Sequence, residues 1–347
     1  METLWFAIAA VAIATYVVLD GFDFGAGILH LFVARTDTQR RQVLAAIGPF
    51  WDGNEVWLLA TGGVLFLAFP KVLASGLSGF YFAIMLVLWV LILRGISIEF
   101  RSHVEDTMWR AFWDVIFAVA STLAPVLFGA ALGNLLRGVP LDDQGWFGLS
   151  LFESFSPFGA LGTLDWYTVL AGVLALAAIA HHGALFLAWK TDGDVHARSI
   201  SAATRLFPLV IVLWLTATIA TIIVAPDVYA AWKTRPLAWL LTAVFAVGLL
   251  STAISRRQHR DLAAFLGSCV FLLGALAATA ASVFPVMLRS SVDPSRSLTA
   301  FNAASSPHAL AAGLWWWPVG AALAVGYFTL LFHLHRGKAQ AADGHGY

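Results

Sequence analysis

The run Gly48-Pro49-Phe50-Trp51-Asp52-Gly53-Asn54-Glu55-Val56-Trp57 decides how this chain is read. It sets two carboxylates, Asp52 and Glu55, inside a segment that is otherwise apolar enough to cross a membrane. Residues at i and i+3 share a helix face. An ionised carboxylate in hydrocarbon is costly, so an intramembrane acid marks a functional site by default. Two neighbouring carboxylates in a dry place resist carrying two charges, which suits the pair to trading a proton.

The composition around this run is that of a membrane protein. Of 347 residues, 60% are hydrophobic and 12% charged, with a mean hydropathy of +0.82. Soluble domains carry about 25% charged residues. The net charge is zero, which gives no support to a nucleic-acid partner. Many of the 15 tryptophans fall near span ends, as interfacial anchors do. The lone Cys269 leaves no internal disulfide and no thiolate metal cluster to build. The first thirty residues lack a basic start and contain Asp20 and Asp23, so they read as a retained first helix, not a signal peptide.

A crossing helix needs about 20 mostly apolar residues. That template predicts an all-α chain of about nine spans, forming a single integral membrane domain over 1–347. The first four are expected near Leu4–Leu31, Val43–Phe69, Leu77–Ile98 and Ala111–Leu136. An outer loop over 137–165 follows, then spans near Trp166–Lys190, Leu206–Ile223, Leu237–Ser255, Leu262–Leu288 and Ala311–His333. A short polar tail covers 336–347. Lysine and arginine divide 14 to 6 between the two sides of these spans. Cytoplasmic loops carry the excess, which puts the N-terminus outside and the C-terminus in the cytoplasm.

On that topology the acids form a ladder from the cytoplasm inward. Asp20 and Asp23 lie in the inner half of span one, Glu99 closes span three, and Asp114 lies in the first turn of span four. Counted from Val43, Asp52 is roughly 13 Å along span two, the deepest of the group with Glu55. The plainer readings are interfacial charges, partners for Arg94, Arg101 and Arg110, or caps for turns around Gly21 and Gly25. Gly21, Gly25, Gly27, Gly62 and Gly63 read as small faces for close helix packing. His181 and His182 are adjacent and cannot share one metal in a regular helix, and no spacing resembles a haem or zinc motif. Trp315-Trp316-Trp317 and Phe80-Tyr81-Phe82 could line a quinone groove, but such residues are more often lipid-facing anchors or core. No phosphate-binding glycine motif is present.

Several of these motifs together resemble subunit II of cytochrome bd-type quinol oxidases. They are Asp20-Gly21-Phe22-Asp23-Phe24-Gly25, the run Trp51–Trp57, Ser78-Gly79-Phe80-Tyr81, and Arg94 to Arg101. Trp109-Arg110 with Trp113-Asp114, Gly133-Asn134-Leu135 and Gly138-Val139-Pro140 complete them. They lie in family order over the first 140 or so residues, and the remainder matches in length, span count and loop placement.

The resemblance implies a complex that oxidises quinol, reduces oxygen to water and draws protons from the cytoplasm without pumping. It implies a haem-bearing subunit I holding haem b and haem d, often a small single-span subunit, and a bacterial inner-membrane location. It implies no catalytic residue or metal in this chain, with a structural quinone and lipid as possible ligands. Asp52 and Glu99 match its proton-route positions, Asp23 a structural or relay acid, and Trp57 an apolar oxygen route. The family often has Gln in place of Glu55 and Asp in place of Glu99, which argues against Glu55 as the indispensable relay. Outside that resemblance, intramembrane acids also suit a proton-coupled secondary transporter, although paired broken helices in two matching halves are lacking.

Overall fold

The fold was read from a computed structural model, which describes residues 1–339 apart from Phe158. Twelve α-helices fill it. Helix α1 (Glu2–Val33) runs unbroken past Asp20 and Asp23, so those acids cap no turn around Gly21 or Gly25. After a short link comes α2 (Asp37–Ile47). A capping box starts it: Thr36 Oγ1 accepts from the Gln39 N–H at 3.3 Å, and Gln39 Oε1 accepts from the Thr36 N–H at 3.4 Å.

The quoted run is where the predicted second span breaks. Helix α2 ends before Gly48-Pro49, and α3 (Trp51–Ala68) starts afresh. Glycine lowers helix propensity, and Pro49 has no N–H to donate. Val43–Ile47 therefore belong to a separate helix. At its far end α3 meets α4 (Pro70–Gly79) across a 120° bend at Phe69. Pro70 occupies the first helical position and disfavours helical geometry in the residue before it. Among the described residues, eight helices are long and apolar enough to cross a membrane, and the bent pair α3–α4 makes nine.

Helices α5 (Tyr81–Phe100), α6 (Thr107–Arg137) and α7 (Trp166–Lys190) follow the sequence reading closely. The sixth span does not, since α8 (Gly193–Val224) has 32 residues and carries Pro208 inside it. Proline is tolerated in membrane helices where neighbours re-satisfy the freed backbone groups. A short α9 (Pro226–Thr234) leads to α10 (Pro236–Arg257), α11 (Asp261–Val283) and α12 (Pro307–Leu334). The predicted span Leu262–Leu288 is too long. Proline 285 cannot extend a helix, and β1 (Val286–Leu288) instead pairs antiparallel with β2 (Leu298–Thr299). This two-stranded hairpin is an exception to the all-α reading.

Close helix crossings organise the core. A Cβ on Gly25 would lie 2.3 Å from the Ile179 carbonyl oxygen and 2.6 Å from Gly183 Cα, so α1 and α7 touch backbone to backbone. Such contacts are how membrane helices gain dispersion energy without a hydrophobic driving force. Beside this crossing Phe22 stacks on Phe186 at 4.1 Å, with Phe265 edge-on to Phe22 at 5.9 Å. Gly62 and Gly63 differ from the expectation, because a Cβ on either meets nothing within 4 Å. Neither lies at a close helix crossing among the described residues.

The polar tail is not free at its start. Lys190 Nζ donates to the His335 and Gly337 carbonyls at 2.6 and 3.0 Å, and the Ala339 N–H donates to the Lys190 carbonyl at 2.6 Å. The remainder of the predicted tail, 340–347, lies outside the described residues.

Candidate functional site: two buried polar clusters

The first cluster joins α1, α3 and α5 around Arg94. This arginine is fully buried, as are Asp20, Asp23 and Asn54. Arg94 Nη1 donates to Asp20 Oδ1 at 2.6 Å, and Nη2 donates to Glu55 Oε1. Its guanidinium also lies 4.1 Å from the centre of the Phe24 ring. One planar fork thus ties three helices, a geometry a lysine ammonium cannot reproduce. Asp23 has no arginine of its own. Its Oδ2 accepts from Asn54 Nδ2 at 2.7 Å, and the same amide nitrogen donates to the Leu19 carbonyl at 3.1 Å. Asp20 Oδ2, Asp23 Oδ1 and Asn54 Oδ1 are buried without a protein partner. Buried polar atoms of this kind are commonly met by internal water.

The second cluster lies where α1, α2, α5 and α6 end together. Asp114, 1% exposed, accepts from His30 Nε2 at 2.6 Å, Arg40 Nη1 at 2.9 Å and Arg101 Nε at 2.6 Å. Arg101 Nη2 reaches on to Asp37 Oδ1 at 2.8 Å. Asp37 also receives Arg110 Nη1 at 3.2 Å and Arg41 Nε at 3.4 Å. Partial burial opposes ionisation of the Asp37 carboxyl. The arginines outweigh it, led by Arg101, and hold Asp37 below the usual carboxylate range.

These clusters revise the expected ladder. Asp20, Glu55 and Asp114 are brought into ion pairs, and Asp23 into a hydrogen bond. Asp52 and Glu99 differ from these in being exposed on this chain. Asp52 sits in the first turn of α3, and the break at 48–50 invalidates a depth counted from Val43. The buried polar residue of the run is Asn54. Asn54 and the central place of Arg94 were not expected, while His30 is the buried, hydrogen-bonded histidine that its sequence position suggested. The placement of Asp20, Asp23 and Arg94 in the same, cytoplasmic halves of predicted spans one and three was the available signal, since a buried acid calls for a buried base.

Trp57 lines a groove of about 730 Å³ between α1, α3 and α12, together with Leu19, Trp317 and Phe328. Its ring is 6.3 Å from that of Phe328. Trp315 and Trp316 are among the most exposed residues of α12, as expected of anchors. Among the described residues, no three His, Cys, Asp or Glu side chains gather as a metal-ligand set. Of the three fully buried histidines among the described residues, His30 and His182 are held by hydrogen bonds, whereas both ring nitrogens of His181 have no hydrogen-bond partner. His30 is committed to Asp114, and His182 holds Ser268 Oγ at 2.7 Å and the Val18 carbonyl at 2.9 Å with its two nitrogens. His181 is packed against Phe207 and Phe271.

Among the described residues, eight helices long and apolar enough to cross a membrane, with a bent pair that could make a ninth, are tied together by buried arginine–carboxylate clusters and define an integral membrane protein. More particularly, it belongs to the cytochrome bd terminal oxidase subunit II family, whose model matches residues 1–335. It is 32% identical to the cytochrome bd-I ubiquinol oxidase subunit 2 of Escherichia coli (strain K12) over 345 residues, covering 91% of this chain and 89% of that one. The cytochrome bd ubiquinol oxidase subunit 2 of Bacillus subtilis (strain 168) is 31% identical over 312 residues, 89% of this chain and 88% of its own. The fold matches a chain of the bd oxidase from Geobacillus thermodenitrificans with a TM-score of 0.71 and 18% identity, covering 96% of this chain and 98% of the other. The chain is therefore a subunit of a quinol:oxygen oxidoreductase and a multi-pass protein of the bacterial inner membrane. The transporter reading finds no support in these likenesses.

Proposed function

We propose that this chain is the haem-free half of its oxidase, holding subunit I in place and passing cytoplasmic protons toward it. The carrying observation is the contrast along α3. Glu55 is locked to Arg94 and Asn54 is buried, while Asp52 is exposed one turn earlier. An acid released from the internal ion pairs, on an outward face of the helix, is the one placed to exchange protons with a partner. Glu99, exposed at the end of α5, is the second candidate by its exposure and its place at the helix end. Asp20, Glu55 and Asp114 act in this reading as fixed charges that hold the helices in register. Asp23, without an arginine of its own, is the internal relay candidate.

Haem b and haem d, the groups that reduce oxygen and accept electrons from quinol, belong in this reading to subunit I. The Trp57 groove would serve as an apolar route for oxygen, and its length along α12 also suits a structural quinone. A small single-span subunit would complete the complex. Orientation rests on the fourteen basic residues of one side. Several of them are joined at one end of the bundle, as in the contacts of Arg198 with Gln39 and of Lys338 with Ala188. The N-terminus would then face outward and the C-terminus the cytoplasm.

Asp52→Asn tests the reading. Oxygen consumption by the purified complex is expected to fall by about tenfold or more, a rise of about 1.4 kcal/mol in the limiting barrier. Haem content should be unchanged. An unaltered rate would remove Asp52 from the proton route, and loss of haem would make it a structural residue.

A further inference from the structure

We propose that the arginine cluster at the ends of α1, α2, α5 and α6 binds the phosphate headgroup of an acidic phospholipid from the adjoining leaflet. Four guanidiniums, of Arg40, Arg41, Arg101 and Arg110, meet two carboxylates, Asp37 and Asp114. In these contacts each carboxylate is shared by at least two guanidiniums. Glu99, Glu105 and Asp106 flank the network on the α5–α6 connection. Asp106 is committed to capping α6, accepting from the Trp109 N–H at 2.7 Å, and the two glutamates are exposed.

The cluster has donors to spare. Arg101 is only 2% exposed, yet its Nη1 has no protein partner. Arg40 Nε and Arg110 Nε are likewise buried and unpartnered, as is the indole nitrogen of Trp113 beside Asp114. A buried, charged N–H left without an acceptor is costly. The side chains of Arg40 and Arg110 are each 27% exposed, so their guanidiniums are anchored by carboxylates and still open to an incoming anion.

The surroundings select a lipid over a free anion. The Trp113 ring is flanked by the exposed rings of Phe100 at 5.7 Å and Phe112 at 5.1 Å. From Phe100 an exposed apolar face continues along α5 through Leu93 and Trp89. These positions share one side of the helix and span roughly 16 Å, which suits an acyl chain hanging from a headgroup at the cluster. Basic pockets between crossing helices are a known chemistry for acidic headgroups.

The test uses the purified two-subunit complex. Bound phospholipid is measured by mass spectrometry after extensive detergent washing, and thermal midpoints are taken with added phosphatidylglycerol, phosphatidylcholine or inorganic phosphate. The wild-type complex is expected to retain acidic phospholipid and to gain stability from phosphatidylglycerol alone. The Arg40→Gln/Arg110→Gln variant should lose one acidic lipid and that gain. Arg257→Gln, which removes an exposed charge from the end of α10, should lose neither. Equal acidic lipid in the wild type and the double variant overturns the proposal. So does equal stabilisation by phosphatidylcholine, or stabilisation by inorganic phosphate alone, which would make the ligand a free anion. The wild-type comparison stands even if the double variant fails to assemble.

Discussion

Arg94→Gln is expected to remove most of the assembled complex from the membrane. The substitution leaves Asp20 fully buried and Glu55 about two-thirds buried with no cation between them. Removing one partner of a buried ion pair costs about 3–5 kcal/mol, mainly because the charge left behind is uncompensated. Here two carboxylates are left. Arg94→Lys should restore little, since one ammonium cannot fork to acids on two helices and also lie flat over Phe24. Adding Asp20→Asn and Glu55→Gln to Arg94→Gln should recover stability, because the orphaned charges go. Complex yield and thermal midpoint in detergent measure this. Wild-type stability in Arg94→Gln alone would contradict a central role for the cluster.

Gly25→Val is expected to have a comparable effect by a different route. No space exists for even one added carbon, with the Ile179 carbonyl oxygen at 2.3 Å and the Gly183 nitrogen at 2.7 Å from its position. These atoms are backbone and cannot rotate away, so α1 and α7 must separate. Overpacking a core costs about 1–3 kcal/mol where side chains can adjust, and more is expected where they cannot. Because α1 carries Asp20, Asp23 and His30, its displacement loosens both polar clusters at once. Loss of assembled complex, with Gly25→Ala milder than Gly25→Val, is the expected order. Equal tolerance of both would mean that the crossing is loose.

The apolar windows made most crossings legible, because bilayer thickness fixes how many residues a span needs. They were blind to Gly48-Pro49, which break a helix without making the segment less apolar. That blindness assigned Asp52 a depth it does not have. The signal for a separate α2 was nonetheless written as Thr36 followed by Gln39, a capping box. The acids of span one were legible as buried and polar. Their partners were not, because pairing Asp20 with Arg94, or His30 with Asp114, joins residues far apart in the chain. Arginines near span ends were read both as topology signals and as partners for nearby acids, and Arg101 with Asp114 bears out the second use. Gly25 was readable as a small-residue position, yet Gly62 and Gly63 looked the same in sequence, and a Cβ on either would meet nothing within 4 Å among the described residues.

The most direct measurement places an affinity tag on this chain, purifies it from native membranes, and records the visible difference spectrum and quinol-driven oxygen uptake of the eluate. Haem b and haem d bands that follow a co-purifying larger subunit, with oxygen uptake in the same fraction, are the expected result. A colourless eluate, or one with no partner and no oxygen uptake, would contradict the assignment of this chain as the haem-free subunit of a working oxidase.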